Sequence, residues 1–161
     1  MTTVRLGRTE LVVNKQSFGC LPIQRITKEE AVALLRRAYD GGINYFDTAR
    51  AYSDSEEKVG AAFAGMRDKI VISTKTQAVT AEGMWKDLEE SLRALRTDYI
   101  DIYQFHNPAF CPIFALFSAI YDSSRNAVLN TAKIRRYIGI IHIPMPCCSF
   151  PNSIGMKVLP T

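Results

Sequence analysis

This sequence lacks the cysteine spacings that are typical of zinc sites and of disulfide frameworks. The four cysteines, Cys20, Cys111, Cys147 and Cys148, form no C-x-x-C pair and have no histidine at the spacing of a zinc site. Cys147 and Cys148 are neighbours in the chain, so they cannot easily form a disulfide with each other. We therefore expect neither a disulfide framework nor a metal site, and we expect a protein of the reducing cytoplasm.

Long apolar runs are also absent, as is a strong excess of one charge. No run approaches the ~20 apolar residues that span a bilayer, and the amino-terminal stretch MTTVRLGRTE lacks the apolar core of a signal peptide. The 20 lysines and arginines stand against 16 aspartates and glutamates, which gives a net charge of +4 with both signs interspersed. Such a mild charge does not favour nucleic acid. We expect neither a membrane nor a nucleic-acid partner.

The 161 residues do contain an alternation of apolar strands and amphipathic helices. A chain of 161 residues with 47% hydrophobic content is long and apolar enough to form one domain with a hydrophobic core. The pattern predicts strands at 16–23, 43–47, 69–75, 99–106 and 135–142, and helices at 27–42, 53–66, 80–98 and 114–133. Strands that alternate with helices of this length indicate an α/β fold with a parallel sheet.

Two local signals define the helices. Thr27 with Glu30, and Ser53 with Glu56, have the spacing of capping boxes, in which side chains satisfy the first backbone N–H groups of a helix. Apolar residues recur on one face of the first three helices: Ala31, Leu34, Leu35 and Ala38 in the first, Val59, Phe63 and Met66 in the second, and Met84, Leu88, Leu92 and Leu95 in the third. We expect these faces to pack on the sheet.

The character of the chain changes after residue 142. Four prolines follow, Pro144, Pro146, Pro151 and Pro160, and the stretch that contains them shows no helical period. We therefore expect a βα domain at 1–142 and an irregular tail with proline and cysteine at 143–161.

Residues with reactive side chains stand at the ends of the predicted strands. Asp47, Lys75, His106 and His142 end the second to fifth strands, and Tyr52 follows soon after Asp47. Taken singly, each has a plainer explanation as a helix cap, a packed ring, a solvated charge or a turn residue. In parallel α/β folds, however, the ligand site lies at the carboxyl ends of the strands. We therefore expect these side chains to share one rim of the sheet.

These side chains have complementary chemistry. A phenol has a pKa of about 10 and is a poor acid at neutral pH, but a nearby ammonium favours its ionised form and makes it a better proton donor. Lys75 would supply that charge to Tyr52, and Asp47 would keep Lys75 charged and oriented. His106 would hydrogen-bond a substrate oxygen. Together they would protonate a carbonyl oxygen while a cofactor delivers hydride to the carbon.

The motifs that contain these residues resemble those of the aldo-keto reductases. The resemblance runs from about residue 3 to residue 142, and four separated motifs occur in the order of the family. They are FDTARAY with Asp47 and Tyr52, VISTK with Lys75, DLEESLRALRTDYIDIYQFH with His106, and AKIRRYIGIIH with His142.

The resemblance implies a fold, a cofactor and a role for each residue. The implied fold is a TIM-type (β/α)8 barrel, here partial with about five strands, since a complete one needs about 250 residues. The implied cofactor is NADP(H), bound without the glycine motif of Rossmann folds. The implied catalytic residues are Tyr52 as proton donor, Lys75 and Asp47 as its tuning partners, and His106 as the substrate-orienting group. The implied cofactor contacts are Asp47, Gly19 and His142.

Three functions stay open at this point. The first is NADP(H)-dependent reduction of a small-molecule carbonyl to an alcohol. The second is a catalytically silent relative that self-associates or binds partners through the open edges of a partial sheet. The third is a doubly wound, flavodoxin-like sheet that binds a phosphate at helix amino ends. This third reading suits five strands but does not explain why Lys75 and His106 stand at successive strand ends.

Overall fold

The computed structural model describes residues 2–7 and 9–107, and the backbone of a strand at 134–140. The helix predicted at 114–133, His142 and the tail predicted at 143–161 lie outside the described residues. The predicted domain boundary after residue 142 therefore stays a prediction.

The chain begins with an antiparallel hairpin. Its strands are β1 (Thr3–Arg5) and β2 (Val12–Asn14), and Val4 pairs with Val13 across them. The sequence pattern does not predict this hairpin, because strands of three residues are too short to show a period.

A five-stranded parallel sheet forms the centre of the fold. Its strands are β3 (Phe18–Gly19), β4 (Tyr45–Asp47), β5 (Val71–Thr76), β6 (Ile100–Phe105) and β7 (Ile134–Ile140). Three helices, α1 (Lys28–Asp40), α2 (Ser55–Ala62) and α3 (Ala81–Leu95), connect the strands from β3 to β6. The strands lie side by side in chain order, each parallel to the next. This confirms the predicted α/β class, and it excludes a flavodoxin-like sheet, whose strand order reverses.

The helices bury one face of the sheet. The predicted stripe of α3 is buried in full and packs in one core with Ile72 and Tyr103. The prediction for α1 is partly wrong, since Leu34 is 42% exposed whereas Ala31 and Leu35 are fully buried. In the part of the chain that the structure describes, no helix combines the length and apolar character needed to cross a membrane.

The hairpin covers the opposite face of the sheet. Leu11 and Val13 pack there against Val71, at the amino-terminal end of β5. Because side chains alternate between the two faces of a strand, Ser73 and Lys75 follow Val71 on this face. Polar side chains therefore occupy the carboxyl end of the face whose amino-terminal end is apolar and covered.

The first predicted capping box is confirmed at the start of α1. Thr27 N donates to Glu30 Oε2 at 2.8 Å, and Glu30 N donates to Thr27 Oγ1 at 3.2 Å. The backbone and side-chain hydrogen bonds from Thr27 lower the pKa of the Glu30 carboxyl. Two backbone N–H groups that have no acceptor within α1 are thereby hydrogen-bonded.

Replacing Thr27 by alanine is expected to destabilise the protein by about 1 kcal/mol, because the cap oxygen is lost. Urea denaturation followed by circular dichroism measures this change. Ser53→Ala is the matched control, since among the described residues the exposed Ser53 side chain donates only to the Gln24 side chain, at 3.3 Å. We expect a change of no more than about 0.5 kcal/mol there. Equal losses for the two variants would contradict the assignment of the cap.

The second predicted capping box is wrong. α2 begins at Ser55, and its N-cap Asp54 makes no side-chain cap hydrogen bond. Ser53 has a left-handed φ of 42°. The Glu56 side chain is 1% exposed and accepts a hydrogen bond from Thr74 Oγ1 of β5 at 2.6 Å. The Glu56 carboxylate, which local spacing assigns to the cap, instead accepts a buried, charge-assisted hydrogen bond from the sheet.

The first strand and the second helix of the sheet domain are much shorter than predicted. The strand predicted at 16–23 is a strand only at Phe18–Gly19, because Pro22 begins a 3-10 helix that ends at Arg25. Proline has no N–H to donate to a sheet, and its fixed φ suits the first turn of a helix. The second helix ends at Ala62, so Met66 lies beyond it rather than on its apolar stripe.

Candidate active site

Four side chains predicted from the sequence meet at the carboxyl ends of β4, β5 and β6. Lys75 Nζ donates hydrogen bonds to Asp47 Oδ2 at 2.6 Å and to the Thr48 carbonyl oxygen at 2.7 Å. The same nitrogen lies 5.3 Å from the ring centroid of Tyr52. The Tyr52 and His106 rings meet edge to face, with centroids 5.4 Å apart and planes at 84°. The predicted catalytic residues therefore form one cluster.

Further hydrogen bonds hold the ion pair in this cluster. The Lys75 side chain is 6% exposed and that of Asp47 is 30% exposed. Ser73 lies on the same face of β5 as Lys75 and donates from Oγ to Asp47 Oδ1 at 2.5 Å. Ser73 and Thr48 are not predicted from the sequence. Alternation along β5 is a signal that could have found Ser73, whereas a backbone carbonyl such as that of Thr48 leaves no signal in the sequence.

The loop that carries Tyr52 is fixed to β5 by its backbone. Thr48 N donates to the Ser73 carbonyl oxygen at 2.9 Å, and Arg50 N donates to that of Lys75 at 3.0 Å. These bonds continue the pairing of β4 with β5 beyond the last strand residue. The position of the phenol relative to the ammonium is thus set by main-chain contacts as well as by side chains.

The electrostatics of Tyr52 differ from the sequence prediction. Burial raises the pKa of the phenol, and the negative charge of Asp47 raises it further. The predicted net shift of this phenol towards its ionised form is therefore wrong, because burial and Asp47 dominate. The Lys75 ammonium is paired with the Asp47 carboxylate, which offsets part of its charge. Tyr52 keeps its proton at neutral pH and has it available to donate.

His106 is neutral in the same pH range. Its burial and the positive charge of Lys75 lower the pKa of the imidazole, and Asp47 opposes them with a smaller effect. Among residues 2–7 and 9–107, the buried Nδ1 atom has no hydrogen-bond partner. No contact in this part of the chain fixes which ring nitrogen carries the proton. The ring can therefore offer a bound molecule either a donor or an acceptor.

The predicted cofactor contacts lie partly within this cluster. Gly19 pairs with Asp47 across β3 and β4. A Cβ added to Gly19 would meet no atom within 4 Å, so the space beside this backbone is open. The predicted contact by His142 lies outside the described residues and stays a prediction.

Comparison with known protein families identifies this chain. The model of the Aldo/keto reductase family matches residues 14–122, a range that contains Asp47, Tyr52, Lys75 and His106. The chain belongs to the aldo/keto reductase family. The predicted resemblance to this family is thereby confirmed.

Several aldo/keto reductases match most of this chain. L-galactose dehydrogenase from Arabidopsis thaliana is 30% identical in an alignment of 155 positions that covers 87% of this chain and 48% of that protein. The holo form of aldo-keto reductase AKR11C1 from Bacillus halodurans has a TM-score of 0.76 at 30% identity, over 89% of this chain and 51% of that one. The aldo-keto reductase from Klebsiella pneumoniae in complex with NADPH has a TM-score of 0.71 at 30% identity, over 87% of this chain and 50% of that one.

These matches establish the fold class of this aldo/keto reductase chain. The solved neighbours have the TIM-barrel fold, so the five-stranded sheet corresponds to part of such a barrel. The predicted partial (β/α)8 architecture is confirmed. The chain spans about half the length of the relatives it matches.

Proposed function

We propose that this aldo/keto reductase chain is an NADP(H)-dependent oxidoreductase that reduces the carbonyl group of a small molecule to an alcohol. The observation that carries the proposal is the position of the Tyr52 phenol between the Lys75–Asp47 ion pair and the His106 ring. The NADPH complex of the Klebsiella pneumoniae relative supports the choice of cofactor. The cysteine usage supports a cytoplasmic location.

The residues present suit a nicotinamide cofactor. Gly19 leaves open space beside Asp47. Within the described residues the buried His106 Nδ1 has no hydrogen-bond partner, and a ligand could supply one. We assign Gly19 and Asp47 to cofactor binding, with His142 as a further predicted contact. When bound, NADPH would supply the hydride for the carbonyl carbon, which no side chain of this protein can provide.

Tyr52 is the general acid in the proposed reaction. Its O–H bond breaks as a new O–H bond forms to the carbonyl oxygen, and the phenolate that remains takes up a proton from solvent. Lys75 lies 5.3 Å from the ring centroid, so its charge limits the cost of this transient phenolate. Asp47 and the Thr48 carbonyl oxygen keep the ammonium in place. The neutral His106 ring directs the carbonyl oxygen towards the phenol by a hydrogen bond.

The rate of reduction is expected to be flat near neutral pH and to fall on both sides. Burial raises the pKa of Tyr52, so the proton donor persists until the pH passes the ordinary phenol value of about 10. Burial and Lys75 lower the pKa of His106, so the neutral ring persists to below about pH 6.5. A profile of kcat/KM against pH measures both limits. His106→Gln should lose the acidic limit, and a profile that already declines at neutral pH would contradict these assignments.

Steady-state kinetics and calorimetry test the proposed function. Oxidation of NADPH is followed by its near-ultraviolet absorbance with a panel of aldehydes and ketones, and NADPH binding is measured separately by titration calorimetry. We expect saturable binding and turnover of at least one carbonyl class, and NADH in parallel reports the cofactor preference. If the folded protein neither binds NADPH nor consumes it, the proposal is wrong.

A second candidate is a catalytically silent relative that self-associates. Its support is that β3 and β7 are the outer strands of the sheet within the described residues. Unpaired strand edges favour pairing with another chain. Size-exclusion chromatography with light scattering distinguishes the two candidates. A dimer or larger species that does not bind NADPH favours the silent relative, and a monomer that binds NADPH favours the reductase.

A further inference from the structure

Glu56 is a buried carboxylate that the proposed reaction does not use. Its side chain is 1% exposed and lies between α2 and β5, on the face of the sheet opposite to Lys75. It accepts a hydrogen bond from Thr74 Oγ1 at 2.6 Å and forms an ion pair with Arg50. A buried carboxylate is costly unless such partners are held in place.

The two partners of Glu56 belong to the two segments that carry the candidate catalytic groups. Thr74 directly precedes Lys75 in β5. Arg50 stands two residues before Tyr52, and its backbone N–H donates to the Lys75 carbonyl oxygen at 3.0 Å. Glu56 therefore joins, from behind the sheet, the strand that presents the ammonium and the loop that presents the phenol.

We propose that Glu56 is a positioning residue that sets the distance between the Tyr52 phenol and the Lys75 ammonium by binding Arg50 and Thr74 together. Its effect on rate rests on the proposed reductase function, whereas its effect on the position of Tyr52 does not. The contact extends outwards to α3, because Arg50 Nε lies 3.5 Å from Glu90 Oε2. Glu90 is more exposed than Glu56 and, among the described residues, makes no hydrogen bond to Thr74 or to any other residue of β5, so the link to β5 is made by Glu56.

The first test is the activity of Glu56→Gln. Glutamine keeps the size of the side chain and an acceptor for Thr74, but it removes the charge that binds Arg50. We expect kcat for carbonyl reduction to fall about tenfold to hundredfold, the loss expected when a catalytic group is misplaced by about 1 Å. We expect KM for NADPH to stay near the wild-type value, because Glu56 lies on the other face of the sheet from Asp47 and Gly19.

The second test needs no activity. The chain has two histidines, so the imidazole signals in an NMR spectrum are few and can be assigned by His106→Gln. The Tyr52 ring stands edge to face against His106 at 5.4 Å, so its ring current shifts the His106 signals. Tyr52→Leu gives the shift for complete loss of the ring. We expect Glu56→Gln to move the His106 signals towards that value.

Asp101→Asn is the matched control. Asp101 is also buried, pairs with Arg67 at 2.6 Å and accepts from Ile72 N at 2.9 Å, but it lies towards the other end of β5. We expect this variant to lose stability without moving the His106 signals or lowering kcat. If Glu56→Gln fails to fold, Thr74→Val removes the other arm of the link and is expected to shift the same signals.

The outcomes separate this inference from the proposed function. Wild-type protein that does not reduce carbonyls would overturn the function, while the NMR comparison would still decide the positioning role. Glu56→Gln with unmoved His106 signals would overturn the positioning role. An equal shift in Asp101→Asn would also overturn it, because general destabilisation would then explain both.

Discussion

Replacing Tyr52 by phenylalanine is expected to lower kcat for carbonyl reduction by about 10²- to 10⁴-fold, the range that general acid catalysis supplies. The substitution removes only the hydroxyl, so the ring can keep its edge-to-face contact with His106 at 5.4 Å. We therefore expect NADPH affinity to stay close to that of the wild type. Steady-state kinetics and titration calorimetry measure the two effects separately.

Tyr39→Phe is the control for this substitution. Tyr39 lies in α1 and contacts the Phe63 ring with centroids 6.2 Å apart, away from the candidate site. Loss of its hydroxyl should leave kcat unchanged. A Tyr52→Phe variant that reduces carbonyls within a few-fold of the wild-type rate would show that another group delivers the proton.

Replacing Gly60 by alanine is expected to lower the free energy of unfolding by up to about 2 kcal/mol. A Cβ on Gly60 of α2 would lie 2.5 Å from the Ala94 carbonyl oxygen and 2.7 Å from the Leu95 carbonyl carbon of α3. Both are backbone atoms, so no side chain can rotate away and the helices must separate. Overpacking of this kind costs about 1–3 kcal/mol and occasionally more. It outweighs the gain of about 1 kcal/mol that alanine brings in a helix.

Urea denaturation measures this loss, and Gly19→Ala is its control. A Cβ on Gly19 would meet no atom within 4 Å, so we expect the folded protein to tolerate it. The same variant bears on the cofactor, because a methyl group would enter the space that we assign to NADPH and should weaken its binding. A Gly60→Ala protein as stable as the wild type would contradict the close packing of α2 against α3.

The parts of the fold that could be predicted from the sequence are those with local causes. The stripe of α3 follows from helical periodicity, and the Thr27–Glu30 cap needs only residues within one turn. The spacing of Ser53 and Glu56 is the same, yet the cap does not form there. The Glu56 carboxylate binds Thr74, which is distant in the chain, and no local pattern reveals such a partner.

The candidate site also has features that the sequence predicts and features that depend on the folded structure. Its members could be predicted, because each stands at or near the end of a strand and parallel strands bring their ends together. Their electrostatics could not be predicted, because these depend on distances. Lys75 Nζ lies 2.6 Å from Asp47 Oδ2, so the carboxylate offsets part of the positive charge of the ammonium. Burial raises the pKa of Tyr52, whereas the sequence alone indicated a lower pKa.

Transfer of deuterium from labelled NADPH to product is the most direct measurement of the proposed reaction. The protein would be incubated with a carbonyl substrate and with NADPH that carries deuterium at the hydride-donating carbon of the nicotinamide. Mass spectrometry of the alcohol then locates the label. We expect deuterium on the former carbonyl carbon with wild-type protein and almost none with Tyr52→Phe over the same time. Wild-type protein that yields no labelled alcohol, or equal label from both proteins, would contradict reduction with Tyr52 as proton donor.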